Sequence, residues 1–169
     1  VSGDGLAVGR YGNNIPTFFN STGNSTLNLQ GESVSGTGTL LHSFTSSTQG
    51  NSALSGVGNT SSDDGFGLYF GHSGGDSNVS LSDQSRVILS GNNNVGGGLG
   101  GYSGVNATAT GDSSLDVRGS GVNGTGAAMR MRGEFSGNAT MNFSGVSTNG
   151  TGSSIGGQIA LMGNATVNV

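Results

Sequence analysis

The chain has 169 residues, of which 36 are Gly; only 8% are charged, and there is one Pro, no Cys and no Trp, with a net charge of −4. That inventory excludes a disulfide framework and a thiolate metal site, and it lacks the clustered positive charge that nucleic-acid binding requires. No apolar run approaches the roughly 20 residues of a membrane-spanning helix.

Gly and Ser content alone would permit a disordered low-complexity segment. Against that, Pro and charge are scarce, and the 31% hydrophobic residues fall in short, regular clusters. No secretory leader is visible at the start. The last residues, Asn164 to Val169, read as an interrupted strand, which suggests a piece of a longer protein.

Residues 1–20 show no clear repeat and are assigned to a leading rung or cap, with 21–169 as a run of repeats. The first clear unit is Gly23-Asn24-Ser25-Thr26-Leu27-Asn28-Leu29-Gln30-Gly31, followed by Gly36-Thr37-Gly38. The next unit, around Ala53-Leu54, is read as out of register and carrying an insertion, and it precedes Gly65-Phe66-Gly67. A diverged copy, Ser85-Arg86-Val87-Ile88-Leu89-Ser90-Gly91, leads to Gly96-Gly97-Gly98. Two close copies begin at Gly111 and Gly137, each followed by Gly-Thr-Gly, at 124–126 and 150–152, and a last one runs from Gly163 to Val169.

The copies at Gly111, Gly137 and Gly163 are 26 residues apart, and successive Gly-x-Gly elements are spaced by 29, 31, 28 and 26. Within a unit, Leu27-Asn28-Leu29 and Met141-Asn142-Phe143 alternate apolar and polar, the period of a half-buried strand. Gly and Asn between strands supply the positive φ that corners need. A unit this short cannot bury its apolar face alone, whereas stacked units align like residues in columns. The expected fold is therefore all-β, a parallel β-helix (β-solenoid) with rungs of about 26–31 residues. Its inner columns are Leu27, Val87, Leu115, Met141, Val167 and Leu29, Leu89, Val117, Phe143, Val169. A third lies near Leu40, Leu68, Leu99 and Ile155.

Catalytic chemistry finds little support. Asp63-Asp64 is the only adjacent acid pair and lies in a Gly-rich loop; Asp112 and Asp116, near Arg118, read as a solvated outward pair worth little. His42 and His72 follow Gly-x-Gly elements in neighbouring rungs, but no matching acid or thiol completes a ligand set, so each reads as an exposed His on a strand edge. Gly74-Gly75-Asp76 occurs once, without the repetition of a calcium-binding repeat. No catalytic residue, metal or cofactor is assigned.

Ten Asn lie in Asn-x-Ser/Thr: Asn20, Asn24, Asn59, Asn78, Asn106, Asn123, Asn138, Asn142, Asn149 and Asn164. Two readings stand, sugar acceptors and structural corner or ladder Asn. Asn142, between inward Met141 and Phe143, is expected to face solvent. Among scarce aromatics, Tyr69, Phe70 and Tyr102 follow Gly-x-Gly elements and form a candidate recognition surface, with core filling or rung capping as the alternative; Tyr11 lies apart in the leading segment.

The repeat texture Asn138-Ala139-Thr140-Met141-Asn142-Phe143-Ser144-Gly145, then Val146 to Gly152, resembles the exoproteins of two-partner secretion, the high-molecular-weight adhesins and the filamentous-haemagglutinin group; autotransporter passengers are a near alternative. The resemblance covers most of residues 20–169 and rests on texture, without a diagnostic motif. It implies a right-handed β-helix on the surface of, or secreted from, a Gram-negative bacterium. It also implies export of the parent chain through an outer-membrane β-barrel, and adherence to a host surface protein or glycan. Some members of the group carry sugars on such sequons. The family's amino-terminal secretion domain is not recognisable here. A spacer stalk of a contact-dependent toxin or haemolysin is the second reading, and a polysaccharide-cleaving β-helix the third.

Overall fold

The computed structural model describes residues 3–8, 17–70 and 77–169, which form a β-solenoid of about five turns with no helix. Every strand pairing is parallel. The first turns carry three strands each: β1 (Leu6–Val8), β2 (Thr17–Ser21) and β3 (Thr26–Ser33), then β4 (Thr39–Leu41), β5 (Phe44–Thr48) and β6 (Ala53–Thr60), then β7 (Phe66–Phe70), β8 (Ser77–Leu81) and β9 (Arg86–Asn93). From β10 (Gly97–Ala109) onward two strands suffice: β10 with β11 (Ser114–Gly121), β12 (Ala127–Phe135) with β13 (Thr140–Ser147), and β14 (Ser153–Leu161) with β15 (Thr166–Asn168).

One sheet, here sheet II, stacks β3, β6, β9, β11, β13 and β15. The opposite sheet I consists of two ladders, β1-β4-β7 and β2-β5-β8, which merge on β10 and continue through β12 to β14. β10 bridges them with a register shift between Gly101 and Val105, where it carries two residues more than β12; such insertions re-aim a strand without breaking its ladder.

The expected columns are present. Leu27, Leu54, Val87, Leu115, Met141 and Val167 stand in one register. Leu54 corrects the expectation of a displaced second copy: β6 pairs in register with both β3 and β9. The longest step on this column is 33 residues, from Leu54 to Val87; of the six residues beyond the preceding step, two fall between β6 and β7 and four between β7 and β8. The next column runs Leu29, Gly56, Leu89, Val117, Phe143, and the Leu41, Leu68 and Leu89 side chains close over the position where Gly56 has none. The third column needed correction. Thr39, Leu68, Leu99 and Ala127 share a register, whereas Leu40 sits beside Tyr69 on the outward face and Ile155 beside Met129.

The second glycine of each Gly-x-Gly element has a steric cause, while a positive φ is found in these elements at Gly124 alone. Their second glycines, Gly38, Gly67, Gly98, Gly126 and Gly152, meet the sheet II glycines Gly31, Gly58, Gly91, Gly119 and Gly145 backbone to backbone. A Cβ on any of the latter would overlap the opposing carbonyl oxygen. The two sheets thus close to contact along this edge and diverge toward the other, where Leu41, Phe44, Phe70, Met131, Phe135 and Phe143 fill the widened interior. The torsional requirement holds at another corner, where Gly23, Gly50, Asp83, Gly111, Gly137 and Gly163 all have φ between 64° and 72°.

Candidate functional site

Side chains that point inward hold the coil together, so recognition chemistry must come from those that point outward. On sheet II a run of outward residues, Arg86, Asp116, Asn142 and Asn168, bond to one another from strand to strand. Asp116 is 2% exposed, corrected from a solvated surface acid: Arg86 donates to its Oδ2 from Nε at 2.9 Å and from its terminal nitrogen at 2.7 Å, and Asn142 Nδ2 donates to Oδ1 at 2.7 Å. Arg118 is not its partner. Asp112 belongs to a different column, where it accepts from Asn138 Nδ2 at 2.8 Å.

The sequon asparagines divide along the same line. Axial amide ladders join Asn51 to Asn24, Asn106 to Asn78, Asn149 to Asn123, Asn164 to Asn138 and Asn168 to Asn142, with Nδ2 donating to Oδ1 at 2.8–3.3 Å. Asn78 also donates to Thr45 at 3.5 Å. Asn142 is half-buried, not freely solvated. The Nδ2 groups of Asn78, Asn106, Asn138, Asn142, Asn149 and Asn164 are therefore engaged as donors, whereas Asn24 and Asn123 accept, Asn20 is exposed on β2 and Asn59 is half-buried on β6.

The aromatic group comes apart. Phe70 is fully buried and packs edge-on against Phe44, with centroids 5.5 Å apart, which removes it from any outer surface. Tyr69 points the other way, half-buried, with its ring 5.4 Å from that of Phe66. Tyr102 belongs to β10 at its register shift, and its side chain is outside the described residues, as are His72, Asp76 and Tyr11. His42 is 2% exposed, inside the coil rather than on an exposed strand edge, because it follows β4 directly into the two-residue corner before β5. Asp63 and Asp64 are exposed in their loop, and among the described residues no three His, Cys, Asp or Glu converge as a metal site.

What sequence reading missed lies on sheet I. Along β12 the buried side chains Met129, Met131 and Phe135 alternate with exposed Arg130, Arg132 and Glu134. Parallel register places Asn106 and Gln158 on either side of Arg132, and Thr108 and Ala160 on either side of Glu134. These residues line a shallow concavity of about 440 Å³. Arg130 faces Gly156 on β14, where no side chain stands beside it. Neither guanidinium, nor Glu134, has a hydrogen-bond or ion-pair partner among the described residues. The signal was legible as the alternation Met-Arg-Met-Arg-Gly-Glu, a half-buried strand whose outward positions are charged in a chain almost without charge.

Comparison of the chain with family models, curated proteins and solved structures gave no match.

Proposed function

We propose that the chain is a segment of a bacterial surface adhesin, exported in its parent protein through an outer-membrane β-barrel partner, whose outward faces attach to a host surface protein or glycan. The repeat texture supports the secretion class. The single observation that favours adhesion is the charged stripe of sheet I, where Arg130, Arg132 and Glu134 stand exposed beside a concavity with no hydrogen-bond or ion-pair partner among the described residues. Polar groups with free valences on a stiff scaffold are what recognition uses, since little order has to be imposed on binding.

A spacer role is the second reading, favoured by the amide ladders, in which much of the surface chemistry serves stacking. Where sugars are attached to the folded chain, Asn20, Asn24, Asn59 and Asn123 are the acceptors whose amide nitrogens are not already donors in a ladder.

The test is saturable binding of the purified chain to epithelial cells, against a variant with Arg130, Arg132 and Glu134 replaced by Ser and the same circular dichroism. Saturable binding that the variant loses supports adhesion through sheet I. A well-folded chain that binds no surface is a spacer.

A further inference from the structure

We propose that the outward face of sheet I across β10, β12 and β14 binds a linear polysaccharide carrying unsulfated carboxylates. The inference deepens the adhesive reading by naming the ligand class of that face.

The argument begins with Arg132. Its guanidinium is exposed and has no partner among the described residues. A planar fork of donors of this kind pairs with a carboxylate through two parallel hydrogen bonds. Asn106 and Gln158 flank it about 4.8 Å away on each side, the fixed spacing of paired strands. Gln158 is an amide that donates and accepts, as vicinal sugar hydroxyls require, whereas Asn106 already donates to Asn78 in its own ladder and borders the site. Thr108 and Glu134 form a second row, about 7 Å along the strand from the first. Thr108 donates or accepts, and the Glu134 carboxylate accepts from hydroxyls only. The two rows cross three strands, so they lie parallel to the solenoid axis and suit an extended chain.

Glu134 also sets what is refused. A densely sulfated polymer would bring like charge against an exposed carboxylate with no cation partner of its own, and two arginines cannot neutralise it. A polymer lying between the two rows meets Arg132 with the carboxylates along one edge and Glu134 with the hydroxyls along the other. A neutral polysaccharide would leave the guanidinium without an anion. Nucleic acid is disfavoured on the same count, because its affinity scales with the number of phosphates neutralised.

The backbone of this face is fixed by its ladders. β12 pairs along its whole length with β14, and from Val105 onward β10 pairs with both β8 and β12. Only side-chain rotamers remain to be ordered on binding.

The experiment is calorimetric titration of the whole chain at physiological salt with three probes: hyaluronan oligosaccharides, their methyl esters, and heparin. Hyaluronan binding is expected, with esterification weakening it at least about tenfold and heparin binding weaker than hyaluronan. Arg132→Gln, at an exposed position, is expected to lose at least about tenfold. Arg118→Gln, exposed on sheet II, is the control and should change nothing. Failure to bind hyaluronan overturns the proposal. So does equal binding of the ester, preference for heparin, or an equal loss from Arg118→Gln. Cell adhesion that persists while hyaluronan does not bind overturns this proposal alone and leaves the adhesive reading standing.

Discussion

At the scale of single residues, this chain depends on what is absent from certain positions. Gly119 presses on the carbonyl oxygen of Gly126, and Cβ of Ala127 lies 2.9 Å from where a methyl would go. Backbone cannot give way as a flexible side chain does, so overpacking here is severe. Gly119→Ala is expected to lower stability by at least about 2 kcal/mol in denaturant titration. Gly156 has open space around its missing Cβ and no positive φ, so Gly156→Ala should stay within about 0.5 kcal/mol of the parent. Equal effects of the two would mean that glycine composition, rather than contact between the sheets, sets stability. The same reasoning separates Asp116 from the other acids. Its burial is tolerable because Arg86 and Asn142 satisfy both carboxylate oxygens. Removing Asn142 with Ala should cost about 1–2 kcal/mol. Asn164→Ala, at an exposed ladder position, should cost less than half of that, and thermal melts of the two variants compare them directly.

At the scale of strands and corners, each turn carries devices that repeat. One corner requires left-handed backbone, and five of its six members are Gly; the sixth, Asp83, accepts from the Gly50 N–H at 3.2 Å as partial compensation. Gly137→Ala is expected to destabilise by about 1–2 kcal/mol, the cost of placing Cβ in that conformation. The other corner is held by a column of short polar side chains at the ends of the sheet II strands. Thr60 Oγ1 donates to the Gly36 carbonyl at 2.6 Å, Asn93 Nδ2 to those of Ser62 and Gly65 at 2.9 and 2.7 Å, and Ser147 Oγ to that of Gly124 at 2.9 Å. Thr60→Val keeps the shape and deletes the donor, and a loss of about 1–2 kcal/mol is expected. The strands and their inner columns were legible because period-2 alternation and the 26-residue recurrence are local features. The capping column was not, because its position is held by three different residue types, Ser33 and Ser147, Thr60, and Asn93. Nor was the place of the extra chain: counting from one Gly-x-Gly to the next cannot say on which side of a strand an insertion falls. The Phe70 error has the same root. Tyr69 and Phe70 are adjacent in a strand, so only one of them can point out, and the sequence does not say which. The charged face of β12 is legible in its alternation, because its outward positions carry charge in a chain almost without it.

For the whole molecule, stacking makes stability a sum of neighbouring-turn terms rather than one shared core. An interior strand such as β9 or β11 is covered by a partner on each side, whereas β14 pairs with β12 alone and β15 with β13 alone. Burial follows the coverage. β12 alternates buried and outward positions along its length, but in β14 no residue is fully buried, and Leu161 and Met162 are 48% and 55% exposed. Each turn also contacts mainly its immediate neighbours, so opening one end does not remove the support of turns further in. Native-state hydrogen exchange of this chain is therefore expected to show a gradient. Amides of β9 and β11 should exchange slowest, near the global unfolding limit, and those of β14 and β15 fastest, by local opening. Denaturant should sharpen the contrast first at β14 and β15, before circular dichroism registers a main transition. A two-state collapse in which every strand shares one opening free energy would contradict an additive stack. It would also point to coupling through the Gly119–Gly126 edge, where rigid backbone contact passes from one turn to the next. The Gly119→Ala variant then decides: in an additive stack it weakens protection around β11 and its neighbours and leaves β3 unchanged, whereas in a coupled one it lowers protection everywhere by the same amount.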